Sequence, residues 1–130
     1  MSQLSIFNTH APGSDGNAPT AEGVAVSSTT VYYSEIITGR DGVGIDIQLF
    51  WTGDPTGTVT AWTSDKTNPS VADDADWVQE SAAFTAVNPA GSASKGRELL
   101  AGSGLRKRLK YTNASGSGVL KGYANVVQSR

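Results

Sequence analysis

The sequence predicts an all-β fold, either an antiparallel β-sandwich or a jelly-roll-like barrel, with a flexible N-terminal arm. Seven to nine short segments rich in β-branched and aromatic residues are separated by turn residues about every ten positions, which is typical of such folds. Residues 43–49 alternate apolar and polar side chains with period two, as a half-buried strand does. Thirteen Thr, fifteen Ser and fifteen Gly among 130 residues also suit short strands joined by turns.

The chain is long enough for one domain, which we expect to comprise residues 23–130 behind an arm of residues 1–22. Within the arm, residues 8–22 are rich in Pro, Gly, Asn and Asp, which predicts irregular structure. Such a segment is either mobile or becomes ordered against a partner. His10 and Asn17 are therefore candidate partner contacts. His10 is the only histidine, and without rigid support we expect an exposed polar residue rather than a catalytic base.

The domain is expected to contain strands joined by polar turns. The expected strands are residues 23–26, 29–37, 43–49, 58–63, 77–79, 83–87, 105–111 and 119–127. Long loops are expected at residues 64–76 and 88–94, and only residues 82–83 and 98–101 suggest a helical turn. Strand periodicity predicts which apolar residues pack inward. These are Ile45, Ile47, Leu49, Val59, Ala61, Leu109 and Tyr111.

The composition excludes several classes of function. Cysteine is absent, which excludes disulfides, thiolate nucleophiles, zinc fingers and iron–sulfur clusters. With a single histidine, no metal site and no cofactor are expected. A formal net charge of −2 gives no overall attraction to nucleic acid or anionic membranes. We also expect no signal peptide and no membrane helix, because no apolar run is long enough.

The loop of residues 64–76, named the acidic loop here, contains Asp65, Asp73, Asp74 and Asp76. Carboxylate oxygens are calcium ligands, but this loop lacks the spaced ligands, central glycine and terminal glutamate of a calcium-binding helix-loop-helix. A solvated loop is the simpler interpretation. We find no pair of carboxylates that is clearly placed for acid/base chemistry.

The strongest run of charge is residues 106–110, with the sequence RKRLK. On a strand, Arg106, Arg108 and Lys110 share one face, and this set is named the basic strip. It is open to three interpretations: a solvated strand face, a contact to an acidic protein partner, or a nucleic-acid contact, which is weak without interleaved aromatic residues. Residues 1–80 hold eleven of the twelve acidic residues and only two of the ten basic ones. Like subunits could therefore pack acidic surface on basic surface.

The three tryptophans, Trp51, Trp62 and Trp77, have two possible interpretations. With the tyrosines they could form a platform that stacks on sugars. Tryptophan on a strand of a small sandwich more often fills a core or an interface, so the core interpretation is preferred.

Two stretches of the sequence contain motifs that resemble those of a known group of proteins. Residues 49–65, LFWTGDPTGTVTAWTSD, contain a W-T-G-x-P-T-G-T turn and lead to Trp77, while residues 105–120, LRKRLKYTNASGSGVL, contain an R-x-x-Y-T-x-x-S-G-x-G-x-L hairpin. Together they resemble small β-sandwich structural proteins of tailed bacteriophages. The resemblance implies a non-enzymatic virion protein, most specifically a capsid cement or decoration protein. A tail or baseplate component and a carbohydrate-binding module are the alternatives.

The resemblance also implies partners and a location. The partners are the major capsid protein, further copies of the chain in a dimer or trimer, or both. The location is the capsid surface of a virion assembled from protein made in the host cytoplasm. The expected contacts are the basic strip and the arm.

Overall fold

The computed structural model describes residues 3–10, 19–38, 44–86, 94–100 and 106–127. Within them the protein is nearly all β, and its antiparallel strands form two five-stranded sheets and a two-stranded ribbon. Sheet I contains β1 (Gln3–Ser5), β4 (Val24–Val26), β7 (Gly44–Gly53), β10 (Ser94–Leu100) and β12 (Gly118–Val127). Sheet II contains β5 (Val31–Tyr33), β6 (Ile37–Thr38), β8 (Thr56–Ser64), β9 (Val78–Ala86) and β11 (Arg106–Ser115). The ribbon contains β2 (Asn8–His10) and β3 (Pro19–Glu22). The sandwich-like arrangement confirms the predicted fold class.

Two hairpins join the sheets. Sheet I has the order β1-β12-β7-β10, with β4 also paired to β12, and sheet II has the order β5-β11-β8-β9, with β6 also paired to β11. The turn from β7 to β8 and the turn from β11 to β12 each lead from one sheet into the other. Both turns lie at the same end of the sandwich, because Gly53 pairs with Gly118 in sheet I and Gly57 pairs with Asn113 in sheet II.

These two turns, which carry the phage-like motifs, pack against each other. The Asp54 N–H donates to the Ser117 carbonyl at 3.1 Å, and the Ser117 N–H donates to the Asp54 carboxylate at 3.1 Å. A Cβ at Gly118 would lie 1.8 Å from the Thr52 carbonyl oxygen, so only glycine permits this approach. The motif residues therefore hold the sandwich closed at one end.

The core lies between the inner faces of the sheets. The buried apolar residues are Ile6, Phe7, Val26, Ile37, Ile45, Ile47, Leu49, Trp51, Val59, Ala61, Leu109, Tyr111, Leu120 and Ala124. All seven residues predicted to pack inward are among them. Trp51 of sheet I and Tyr111 of sheet II meet across the core with ring centroids 5.8 Å apart. Burial raises the pKa of Tyr111 to about 12, and its hydroxyl donates to Asn113 Oδ1 at 2.7 Å.

The N-terminal residues differ from the predicted arm. The prediction of irregular structure over residues 8–22 is wrong for the described part of this range, because β2 and β3 pair as an antiparallel ribbon. Ile6 and Phe7, just before the ribbon, belong to the core. Pairing between two short segments supplies hydrogen bonds that neither segment's composition reveals. Residues 11–18 between them lie outside the described residues.

The suggested helical turns are also wrong where the structure describes them. Residues 94–100 form β10, which pairs with β7 along its whole length, and residues 82–83 lie within β9. Strand pairing in a sheet outweighs a weak helical preference in a short segment. The predicted loop at residues 88–94 lies mostly outside the described residues. Nowhere in the described ranges does a helix have the length and apolar character needed to cross a membrane.

Replacing Ile47 with alanine tests the placement of the core. Ile47 is wholly buried, so Ile47→Ala is expected to lower the free energy of unfolding by about 2–5 kcal/mol. Urea unfolding measures the change. Gln48→Ala, one residue along on the opposite face, is the matched control and should change stability by less than about 0.5 kcal/mol. An equal loss in the two variants would contradict the assigned face.

Candidate functional site

The basic strip lies on the outer face of sheet II. Leu109 and Tyr111 point from β11 into the core, so the alternation of the strand directs Arg108 and Lys110 to the other side. The acidic loop covers this side. Arg106 Nη1 donates to the Lys66 carbonyl at 2.9 Å, and Lys110 Nζ donates to Asp74 Oδ2 at 2.7 Å. The acidic groups that meet the strip thus come from the same chain.

Arg108 lies at the centre of this arrangement. Its side chain is 0% exposed, and its guanidinium carbon lies 4.7, 4.9 and 5.0 Å from the ring centroids of Tyr33, Trp62 and Trp77. These distances fit cation–π contacts. The guanidinium also donates to the Val71 carbonyl and to the Asp74 carboxylate. Three rings, a carbonyl and a carboxylate therefore surround one cation. Arg108 together with these five surrounding groups is named the arginine cage here.

The acidic loop is held by bonds at its other aspartates. Asp73 caps the short 3₁₀ turn Asp74–Asp76 by accepting from the Ala75 N–H at 3.0 Å. Lys66 Nζ donates to Asp76 Oδ1 at 2.5 Å, and the Ser70 N–H donates to Asp76 Oδ2 at 2.8 Å. The turn thus presents Asp74 to β11. Among the described residues, no three His, Cys, Asp or Glu side chains are placed to hold a metal ion.

These bonds change the acidity of two carboxyl groups. Hydrogen bonds from Lys110 and then Arg108 hold the pKa of Asp74 below its ordinary value. A hydrogen bond from Lys66, followed by the one from the Ser70 backbone, lowers the pKa of Asp76. Both carboxyl groups are therefore ionised at neutral pH while the loop is seated.

A second cation of β11 is also buried. The Lys107 side chain is 0% exposed and forms an ion pair with Glu80 of β9. Lys107 lies on the side of β11 that carries Leu109 and Tyr111, as strand alternation predicts. A buried ammonium without a counter-charge costs several kcal/mol, so this pair is a structural requirement at the edge of the core.

The tryptophans leave no open platform. Trp51 is part of the core between the sheets, which confirms the preferred core interpretation for this residue. Trp77 is also buried, but it packs on Arg108 outside that core. Trp77 Nε1 donates to the Ser70 carbonyl at 2.8 Å, so this ring also anchors the acidic loop. Trp62 is half-buried and faces Arg108. A sugar could not stack on these three rings in this arrangement.

The other two predicted partner contacts are His10 and Asn17. His10 is the last residue of β2, and Asn17 lies outside the described residues. The structure brings the three residues of the basic strip together on one face, but it does not join them to His10. Contact of the strip with a partner remains a prediction, and for Arg108 it requires the acidic loop to move away.

The sequence pattern does not predict two of the surfaces that the structure shows. One is the set of exposed apolar side chains on edge strands, Leu4, Val31 and Val78. The other is the outer face of sheet I, where Phe50 and Tyr123 are in contact, with ring centroids 6.1 Å apart. The period-two pattern places Phe50 opposite the core side, but only the pairing of β7 with β12 brings Tyr123 beside it.

Comparison with known proteins gives only structural neighbours, because no family model and no curated protein matches the chain. The chain is similar to the enzymatically active domain of tailspike protein 4 of bacteriophage CBA120, with 13% identity and a TM-score of 0.46. That match covers 97% of this chain and 17% of the tailspike chain. The chain is also similar to a family 16 carbohydrate-binding module, with 12% identity, a TM-score of 0.35, and coverage of 94% of this chain and 82% of the module.

Replacing Asp74 with asparagine tests how the acidic loop is held. Because the pKa of Asp74 is lowered in the folded state, its ion pairs stabilise the fold above the ordinary carboxyl pKa of about 4. That stabilisation is lost as the pH falls through the lowered value. Asp74→Asn is expected to be less stable than the parent at pH 7 and to lose less stability between pH 7 and pH 3.

Denaturant unfolding at both pH values measures this difference. Asp73→Asn is the control, because Asp73 bonds the loop backbone rather than the basic strip. Acid sensitivity that remains in Asp74→Asn comes from the other carboxyl groups, among them Asp76, whose pKa is also lowered. Parallel pH profiles for Asp74→Asn and the parent would show that Asp74 does not hold the loop through its charge.

Proposed function

We propose that the chain is a non-enzymatic structural protein of a tailed-phage particle, a cement or decoration protein that joins neighbouring subunits on the capsid surface. The observation that carries the proposal is the position of the exposed large apolar side chains. Val78 is 69% exposed, Leu4 46% and Val31 37%. All three lie on strands at the ends of their sheets. Edge strands with apolar side chains are surfaces on which other chains pair.

The two edges of sheet II suggest how copies associate. Val31 lies on β5 and Val78 on β9, which are the opposite ends of the strand path β5-β11-β8-β9. The β5 edge of one copy can therefore add to the β9 edge of the next as an antiparallel or parallel extension of the sheet. Because the two edges are different surfaces, this contact is heterologous and forms a closed ring when the rotation permits. Of the expected oligomers, it favours a trimer over a two-fold dimer.

The internal use of the charged groups supports a structural role rather than catalysis. Asp74 and Asp76 hold the acidic loop, and Glu80 neutralises Lys107. These carboxylates stabilise the fold, whereas an acid/base mechanism would need them beside a substrate. Attachment through apolar edges and backbone hydrogen bonds also differs from docking through the basic strip, because apolar contact is not screened by salt.

A charge placed on the β9 edge tests the proposal. Val78→Lys places a charge that must be desolvated when a partner strand pairs with this edge. The variant is therefore expected to reduce the fraction of oligomer measured by light scattering. It is also expected to reduce the number of copies that rebind to phage particles from which this protein has been removed. Thr58→Lys is the matched control, since Thr58 is also exposed but lies on β8, inside the sheet. Cryo-electron microscopy of the particles locates the bound chain.

Three results would contradict parts of the proposal. Equal occupancy of Val78→Lys and the parent removes the β9 edge from attachment. Loss of occupancy in Arg106→Gln/Lys110→Gln, with a steep decrease as salt rises, assigns attachment to the basic strip instead. Density for the chain on the tail rather than the head replaces the cement role with that of a tail component.

A further inference from the structure

The outer face of sheet I carries an aromatic pair among polar side chains. On β7, Ile47 and Leu49 are buried in the core, so Gln48 and Phe50 point outward and are half-buried. On β12, Ala124 is buried, and Tyr123 points outward. The Phe50 and Tyr123 rings meet at 63° with centroids 6.1 Å apart. The strand register sets which polar groups lie beside them.

That register gives the face a mixed chemistry. Gln48 lies directly opposite Tyr123, and Asp46 lies opposite Asn125. Directly opposed residues of antiparallel strands share a face, so two side-chain amides and a carboxylate flank the aromatic pair. The outward positions from Asp46 to Phe50 span roughly 13 Å along β7.

The ribbon lies beside Tyr123 on this face. Tyr123 Oη donates to Glu22 Oε1 of β3 at 3.0 Å, and this bond raises the pKa of the phenol. Gly23, the next residue, has φ of +96°, and a Cβ there would lie 3.0 Å from Val119 Cγ1 and 3.1 Å from Lys121 Cγ. The chain thus rests directly on the outward side chains of β12. The outer face of sheet I thus combines two aromatic rings with a carboxylate of the ribbon at Tyr123.

From this arrangement we infer that the outer face of sheet I binds a pyranose oligosaccharide. A sugar offers apolar C–H faces, which pack on aromatic rings, and hydroxyl groups, which both donate to and accept from amides and carboxylates. Pockets for small molecules combine such apolar area with a few placed polar groups. Nucleic acid fits less well, because the carboxylates Glu22 and Asp46 lie beside Tyr123 and partly offset the positive charge that phosphate binding needs. That positive charge comes from Lys95, Arg97 and Lys121, which the register places opposite Phe50 and Gln48. A protein partner fits less well, because half-buried amides would need matched groups to replace water.

The experiment titrates the intact chain with three soluble hexasaccharides. Two are neutral, cellohexaose and maltohexaose, and one is acidic, hexagalacturonate. The acidic probe is included because Lys95 and Arg97 of β10 lie opposite Phe50 and Gln48 in the register. Calorimetry gives the affinity, and amide chemical shifts in NMR spectra locate the bound sugar.

We expect saturable binding of at least one hexasaccharide, with shifts at residues 46–50 and 121–125 and at the adjoining residues of β3 and β10. Tyr123→Ala should weaken binding by about tenfold, which corresponds to about 1.4 kcal/mol of lost contact. Tyr123→Phe keeps the ring but loses the bond to Glu22, so it should bind more tightly than Tyr123→Ala. Gln48→Ala, which leaves both rings in place, should also weaken binding. Thr112→Ala, exposed on sheet II, is the control for an unaffected surface.

Several results would overturn the assignment. They are no saturable binding of any of the three sugars at millimolar concentration, shifts located at the edge strands of sheet II, or unchanged affinity in both Tyr123→Ala and Gln48→Ala. Loss of self-association in Tyr123→Ala would instead make the face a contact between copies. Because this assay uses the free chain and sugars, its outcome is independent of the particle-occupancy test of the proposed cement role.

Discussion

The arginine cage is the interaction on which the arrangement of sheet II depends. A wholly buried guanidinium is tolerated only with a counter-charge and hydrogen-bond acceptors. Arg108 obtains them from the acidic loop, and it obtains ring contacts from Tyr33, Trp62 and Trp77. One side chain therefore joins β5, β8, β11 and the loop that precedes β9. Without this cation, the loop would lose the partner that seats it on the sheet.

The cage makes the two outer faces of the sandwich unequal. On sheet II, the acidic loop covers the basic strip and pairs its charges within the chain. On sheet I, Phe50 and Tyr123 remain half-exposed beside the ribbon. The edges of sheet II carry the apolar side chains of Val31 and Val78. A closed face, an open polar face and two apolar edges together fit a module that attaches at its edges and presents one face outward.

Much of this could be predicted from the sequence, for identifiable reasons. The alternation of Ile45, Ile47 and Leu49 predicted the core because strand geometry alone decides which side chains share a face. The same rule placed Arg108 and Lys110 together correctly. It could not show that Asp74, more than thirty residues earlier in the chain, would cover them, since that depends on how strands pair. The ribbon of residues 8–10 and 19–22 escaped prediction for the same reason.

A double-mutant cycle between Arg108 and Asp74 tests the central claim most directly. The free energy of unfolding at pH 7 is measured for the parent, Arg108→Met, Asp74→Asn and the double variant. If the carboxylate holds the buried cation, the two substitutions are non-additive by about 1 kcal/mol, a modest value because the Asp74 side chain is 42% exposed and solvent screens the pair. Additivity within about 0.3 kcal/mol would contradict the account, since the Asp74 carboxylate would then not hold the buried cation.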